Sequence, residues 1–352
     1  MPSIQSVATV LPPYSLSSEE AEARLRANFE AQGEDPALVS QIIRSSGIER
    51  RALARPPAFY LTERSLTARN AAYVEVAREL GVAAARAALD QAGVRPEEVD
   101  LVLDTSCTGV MIPALDVYVA NALRMRRDVR RVPLTEAGCA AGATALALAR
   151  DLLGDRPGAT ALILAVELPS LTVQLEDASR ANVVSAAIFG DGAAALVVSN
   201  RPARGPALEL LAHQATLFPD TTEIMGFDLR TEGFKIILSP RIPHLVNRHL
   251  REEVDAFLER QGLALRDMGF FVPHPGGTKV LDQVRDTLGL REEDVASSRR
   301  VLREFGNLSS ASVHFVAKDV LERGVAAPGA LGLMIAMGPG FTLELALLRA
   351  TR

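Results

Sequence analysis

The sequence predicts a layered α/β fold made of two similar halves, and three observations carry that prediction. Short apolar, β-branched runs alternate with Ala- and Leu-rich helical patterns, the order expected of strands covered by helices. At 352 residues the chain exceeds one ordinary core. After the Pro, Arg and Gly stretch Arg201 to Pro206 the order of elements begins again, which predicts a structural duplication, residues 1–204 and 205–352, without close sequence repetition.

Taken in order, Ser17 to Ala54 mixes acidic and basic residues with Leu, Ile and Val at helical spacing and reads as exposed helices. Asn70 to Ala92 reads as a long Ala-rich helix stopped by Gly93, and Val99 to Thr105 as a buried strand. A loop at Thr108 to Pro113, a helix to Arg124 and a strand at Arg131 to Leu134 follow. The Gly138 to Gly142 loop then opens a helix to Leu153, with strands at Ala159 to Val166 and Gly192 to Val198. The second half offers strand Leu208 to Ala212, helix Pro243 to Gln261, strand Met268 to Val272, and helices Thr278 to Leu288 and Ser310 to Arg323. Two closing strands flank Gly338-Pro339-Gly340. Those residues and Glu344 break the Gly329 to Leu348 run too often for a membrane span.

Composition narrows the function classes. Hydrophobic residues make up 48% and aromatics 5%, with no Trp, which is globular rather than disordered. A formal net charge of -5 opposes a general nucleic-acid binder, which needs a basic face to displace counterions. Residues 1–25 lack a basic region followed by an apolar core, so no signal peptide is expected. Cys107 and Cys139 are the only cysteines, too few for a disulfide framework or a cysteine zinc site, and reduced thiols in a cytoplasm are expected. His244 and His249 are five apart and miss the helical metal clamp, so no metal is expected.

Three loop residues remain for chemistry. Cys139 lies between a strand and a long helix, where the helix dipole and free N–H groups lower a thiol pKa and can hold an oxyanion. The segment alone equally suits a small buried cysteine. His274 leaves the strand Phe270 to Val272 into a Pro-Gly-Gly loop that fixes the backbone without enclosing the ring. Asn307 precedes Ser309 and Ser310, a position that also suits a helix N-cap.

With Cys139, His274 and Asn307 in that order, the Phe189-Gly190-Asp191-Gly192 segment and the closing Gly338-Pro339-Gly340 loop, the sequence resembles the chalcone synthase-like type III polyketide synthases of the thiolase superfamily. Pro219 to Gly233 and His274 to Lys279 look most like the bacterial alkylpyrone synthases. The resemblance implies a duplicated thiolase fold in five α-β-α-β-α layers. It implies a Cys-His-Asn triad in which Cys139 carries an acyl starter and His274 and Asn307 hold the enolate left when malonyl-CoA loses carbon dioxide. An imidazolium at His274 would favour the Cys139 thiolate. Cyclisation to an alkylpyrone or resorcinol-type product would follow.

The same resemblance implies a substrate cavity. Phe189 is its gatekeeper, and Cys107, Thr108, Glu167, Thr172, Ser185, Ile236 and Ser309 are wall residues, with Gly338, Pro339 and Gly340 nearby. Met111 and Ile112 match the loop that enters the partner's cavity in a homodimer. Coenzyme A thioesters are expected as substrates and no bound cofactor is expected. The coenzyme would meet Arg44, Arg50, Gly276 and Gly277, although the basic cluster of plant members is absent, so an acyl carrier protein is an alternative donor. A ketoacyl-synthase-like enzyme joining carrier-bound chains would share the triad. A cysteine hydrolase would share its order, but the preceding strands and the His-Pro-Gly-Gly segment oppose that reading.

Overall fold

The computed structural model describes residues 1–33 and 35–351. The first half runs β1 (Ser3–Val10), β2 (Tyr14–Ser17), α1 (Ser18–Ala31), α2 (Pro36–Ser46), β3 (Arg50–Leu53), α3 (Phe59–Thr62), α4 (Leu66–Ala92), β4 (Leu101–Ser106), α5 (Leu115–Ala122), β5 (Arg130–Thr135), α6 (Ala141–Leu153), β6 (Thr160–Glu167), α7 (Arg180–Ile188) and β7 (Gly192–Ser199). The second runs β8 (Leu208–Leu217), β9 (Met225–Arg230), β10 (Gly233–Leu238), α8 (Ile242–Glu259), β11 (Met268–Pro273), α9 (Thr278–Leu288), α10 (Ala296–Phe305), α11 (Ser312–Glu322), β12 (Leu331–Gly338) and β13 (Thr342–Ala350).

Nine of these strands share one sheet in the order β11-β12-β13-β8-β1-β7-β6-β4-β5. Its two halves repeat one pairing pattern. In the first, β1 and β7 are antiparallel, β7 and β6 antiparallel, and β6 and β4 parallel. In the second, β8 and β13, β13 and β12, and β12 and β11 stand in the same relations. Within the sheet the halves pair at Ser3 with Glu209 and Ile4 with Leu208. The parallel pairs need crossover helices, and those helices build the layers.

Side chains alternate across each strand, so each half-sheet feeds two cores. Leu101, Ile163 and Leu196 of the first half and Val272, Met334 and Ala346 of the second turn inward onto α6 and α11, in one shared cluster. The opposite faces, such as Val102, Leu164 and Val197, pack on α4, and Phe271, Leu333 and Leu345 pack on α8 and α9. Five layers result, with α6 and α11 in the middle. That position explains why α6 is almost wholly small or apolar, since a helix between two sheets has no wet face. It also explains why all eight residues of β6 are buried.

The helix boundaries follow local chemistry. Ser65 caps α4 by accepting from the Ala68 N–H, and Gly93 ends it in the left-handed region at φ 63°. Asp35 and Pro36 start α2. Two expectations need correction. The Ser17 to Ala54 stretch is not all helix, because Arg50–Leu53 pairs with Tyr14–Ser17 as a short hairpin-like sheet. The strand expected to end at Ala212 continues to Leu217, held by β13 along its length. Several elements had no sequence expectation: β1, β2, the α3, α7 and α10 helices, and the β9–β10 hairpin, which stands apart from the main sheet. No described helix is long and apolar enough to cross a membrane.

Candidate active site

Cys139 sits in a single turn, Gly138 to Ala140, between β5 and α6. Gly138 adopts φ +57°, and a Cβ there would lie 2.5 Å from Pro339 Cδ, so the cysteine turn and the Gly-Pro-Gly loop pack backbone to ring. One turn on, a Cβ at Gly142 would meet the Ser310 carbonyl at 2.3 Å. This contact seats the start of α6 directly on the loop that follows Asn307.

His274 continues β11. Its N–H donates to Ile335 O at 2.7 Å and its carbonyl accepts from Gly276 N–H at 2.9 Å, so the backbone is fixed on both sides. The ring is buried, yet among the described residues neither ring nitrogen has a hydrogen-bond partner. Asn307 is fixed differently. Its Oδ1 accepts from Ser309 N–H at 2.8 Å and from Ser312 Oγ at 3.2 Å, which turns Nδ2 the other way, where its one protein partner is Gly276 O at 3.3 Å. Asn307 N–H donates to Ile188 O, and Gly190 N–H to Asn307 O, tying this loop to the end of α7.

One cavity of about 990 Å³ gathers Cys139, His274 and Asn307 from three separate elements. Phe189, Cys107, Thr108, Ile236 and Ser309 also line it, as do Pro339, Gly340, Gly276 and Gly277. Ser309 stands between the two thiols, its Oγ 3.6 Å from Cys139 Sγ and 3.4 Å from Cys107 Sγ.

Burial decides the charges. It pushes the Cys139 thiol up to about 11 and the His274 imidazole down to about 4. The expected lowering of the thiol by the helix terminus, and a resting imidazolium, are therefore not found: desolvation outweighs both. A lone charge on either group is costly, whereas a proton moved from thiol to imidazole would create opposite charges that offset one another. Cys107 is raised well above its ordinary value by burial and then by the Glu167 carboxylate.

The chalcone and stilbene synthase family matches the chain twice, its N-terminal domain over residues 22–202 and its C-terminal domain over residues 209–352. This chain belongs to that family. A 1,3,6,8-tetrahydroxynaphthalene synthase of Streptomyces peucetius subsp. caesius is 40% identical over 99% of this chain and 93% of its own length. A putative chalcone synthase of Bacillus subtilis is 34% identical over 98% of this chain and 97% of its own. The crystal structure of the 1,3,6,8-tetrahydroxynaphthalene synthase of Streptomyces coelicolor, a bacterial type III polyketide synthase, superposes with a TM-score of 0.95 at 28% identity, covering 99% of each chain. The five layers are thus those of the thiolase fold, and the chain is a type III polyketide synthase: an acyltransferase that condenses with decarboxylation.

Several wall expectations shift in this family member. Glu167 does not line the cavity. It lies behind the cysteines, fully buried, and accepts from Cys107 N–H, Thr108 Oγ1 and Ser310 Oγ at 3.1, 2.8 and 2.6 Å. Thr172 is turned inward to bond Pro169 O, and Ser185 is buried inside α7, on neither cavity face. Gly338 does not line the cavity, and a Cβ there would lie 2.7 Å from Ala140. Arg44 faces outward, its side chain 75% exposed and paired with Glu22 at 3.3 Å, while Ile42, Ser45 and Ser46 of the same helix face the cavity. Arg50 is also exposed, on β3, and does not line it. Ile112, expected at a dimer interface, is 93% exposed, Met111 packs partly against the α4 core, and Val110 beside them lines the cavity.

Of the cavity roof, sequence reasoning named Ile236 alone, and it missed the cations. Met225, Phe227, Phe234 and Leu238 of the β9–β10 hairpin close one side. Their alternation is legible, but nothing local says which sheet they serve. Arg180 and Lys279 are exposed residues that line the cavity, and among the described residues neither has an ion-pair partner.

Proposed function

We propose that Cys139, His274 and Asn307 carry the condensation. The observation that supports this most is the set of free donors: an unpartnered buried imidazole and an amide locked to donate share one cavity with a thiol. His274 takes the Cys139 proton, the thiolate attacks the acyl carbonyl of a coenzyme A thioester, and the coenzyme thiol leaves with a proton. Malonyl-CoA then loses carbon dioxide, and the enolate oxygen accepts from a His274 N–H and from Asn307 Nδ2. Asn suits this because a carboxylate in its place would repel the developing charge. The enolate carbon attacks the thioester carbonyl, forming the new carbon–carbon bond and freeing Cys139 sulfur from the lengthened chain.

Arg180 and Lys279 take the place of the expected arginines as the phosphate contacts of the entering thioester, since both stand unpaired on the cavity. The extended chain cyclises to an alkylpyrone or resorcinol-type ring. A second reading, an aromatic product from malonyl units alone, is favoured by the 40% identical relative named for tetrahydroxynaphthalene, whose ten ring carbons equal five two-carbon units. Incubation with malonyl-CoA, alone and with fatty acyl-CoA, separates them by product mass. A homodimer whose Met111–Ile112 loops meet is part of the proposal, and sedimentation tests it. Absence of any carbon–carbon product from coenzyme A or carrier-protein starters would overturn the condensing role.

A further inference from the structure

One buried hydroxyl joins two walls of the Cys139 cavity, and none of the steps described above uses it. Thr221 lies in the turn between β8 and β9, directly after Asp220, which adopts φ +57°, a left-handed backbone that Asp tolerates better than most residues. Thr221 itself is buried. Its Oγ1 accepts from Phe341 N–H at 2.5 Å and stands 2.9 Å from Gly340 O and 2.7 Å from Phe218 O. With a single proton, the hydroxyl donates to one of these carbonyls at a time. Phe218 N–H donates to Phe341 O at 3.0 Å, which closes the same end of the loop.

The Gly338-Pro339-Gly340 loop offers no side-chain donor of its own. Pro339 O accepts from Thr342 Oγ1 at 3.2 Å, at the start of β13. Among the described residues, Thr221 is the one side chain from outside β12, β13 and their loop that hydrogen-bonds to residues 338–341. Its backbone reaches the other way. The Thr221 carbonyl accepts from Ile224 N–H at 3.1 Å, and Ile224 O accepts from Ser239 N–H at 2.8 Å, at the foot of the β9–β10 hairpin. Thr222, Met225 and Ser239 of that foot line the cavity, as do Pro339 and Gly340 of the loop. Pro339 is also the residue seated against Gly138, beside Cys139.

We infer that Thr221 is a positioning residue for chain length: it fixes the Gly-Pro-Gly wall against the foot of the hairpin, and that spacing sets how many malonyl units are added before the chain closes on itself. The inference rests on the condensing role proposed above and concerns the walls rather than the thiol. A polyketide chain held on Cys139 is flexible, and ring closure needs its reacting atoms within about 3.5 Å in a defined orientation, so a wall displaced by about 1 Å changes which closure wins. Thr221 hydrogen-bonds to none of Cys139, His274 and Asn307, so decarboxylation and carbon–carbon bond formation do not depend on its hydroxyl.

The test is Thr221→Val, which keeps the branched shape and removes the hydroxyl, beside Thr221→Ser, which keeps the hydroxyl. Each enzyme is incubated with malonyl-CoA, alone and with hexanoyl-CoA, and carbon dioxide release is read together with the number of malonyl units in each product by mass. In Thr221→Val the buried Phe341 N–H loses its acceptor, and the share of products shorter than the main product of the unaltered enzyme is expected to rise about three- to tenfold, with carbon dioxide release per folded enzyme within about twofold. Thr221→Ser is expected to keep the original distribution. A merely structural hydroxyl would lower the amount of folded enzyme, and with it every product in proportion, leaving the distribution unmoved. Should Thr221→Val fail to fold, Thr221→Ala reads the same distribution. An unmoved distribution in a folded variant without the hydroxyl overturns the inference, as does a shift in Thr221→Ser equal to that of the valine variant. Failure of the unaltered enzyme to form a carbon–carbon product from any coenzyme A or carrier-protein starter sinks the condensing role instead.

Discussion

The two halves of the sheet share a strand pattern but bring different chemistry to the seam between them. The first half ends β5 in a turn that delivers one thiol. The second delivers hydrogen-bond donors from the end of β11 and from the loop before α11. On the proposed roles, the same architecture makes a nucleophile on one side and an enolate cradle on the other. The difference lies in which loop residue the repeated scaffold displays, not in the scaffold.

That division is sharpest under mutation. Cys139→Ala is expected to abolish condensation products, a loss of more than about 1000-fold, while malonyl-CoA decarboxylation continues, since His274 and Asn307 remain; carbon dioxide release against product mass measures both. Equal loss of decarboxylation in a folded variant would break the comparison. Asn307→Leu is expected to do the reverse, lowering decarboxylation about 100- to 1000-fold while Cys139 still accepts an acyl group, as intact-protein mass would show.

The thiol–imidazole pair predicts a pH signature. In His274→Ala nothing shares the Cys139 proton, so its alkylation by iodoacetamide is expected to climb with pH toward an ionisation near 11, because the protonated thiol below that value is unreactive. The unaltered enzyme is expected to alkylate faster at neutral pH, by roughly tenfold, and Cys139 faster than Cys107. Coincident pH profiles would remove the pair. The smallest effect is expected at the cavity rim: Arg180→Ala and Lys279→Ala each raise KM for malonyl-CoA about three- to tenfold with kcat little changed, since exposed charges are screened. A fall confined to kcat would move those cations from binding to chemistry.

Much of this is legible in the sequence. Strands buried on both faces advertise themselves as continuous apolar runs, which is why β6 and β7 fall within a residue or two of expectation. The Cys139, His274 and Asn307 loops stand out because glycine and proline mark the places where chain direction is fixed. What escaped was orientation. Arg44 and Ser45 are neighbours in sequence, yet one pairs with Glu22 in solvent and the other faces the cavity. Composition cannot tell two faces of a mixed helix apart when both carry polar residues. Glu167 escaped for another reason: a carboxylate in an apolar strand signals burial but not whether it meets substrate or, as here, holds Ser310 and Thr108 from behind.

The contact of Gly142 with the Ser310 carbonyl has a consequence for how such an enzyme diversifies. It joins the two reactive loops with no side chain to spare, so any added atom at that point is felt in both halves at once. Variation has room elsewhere, along the hairpin roof and the outer face of α7. A lineage can therefore change what it makes by redrawing the walls, while the seam is inherited as a single piece.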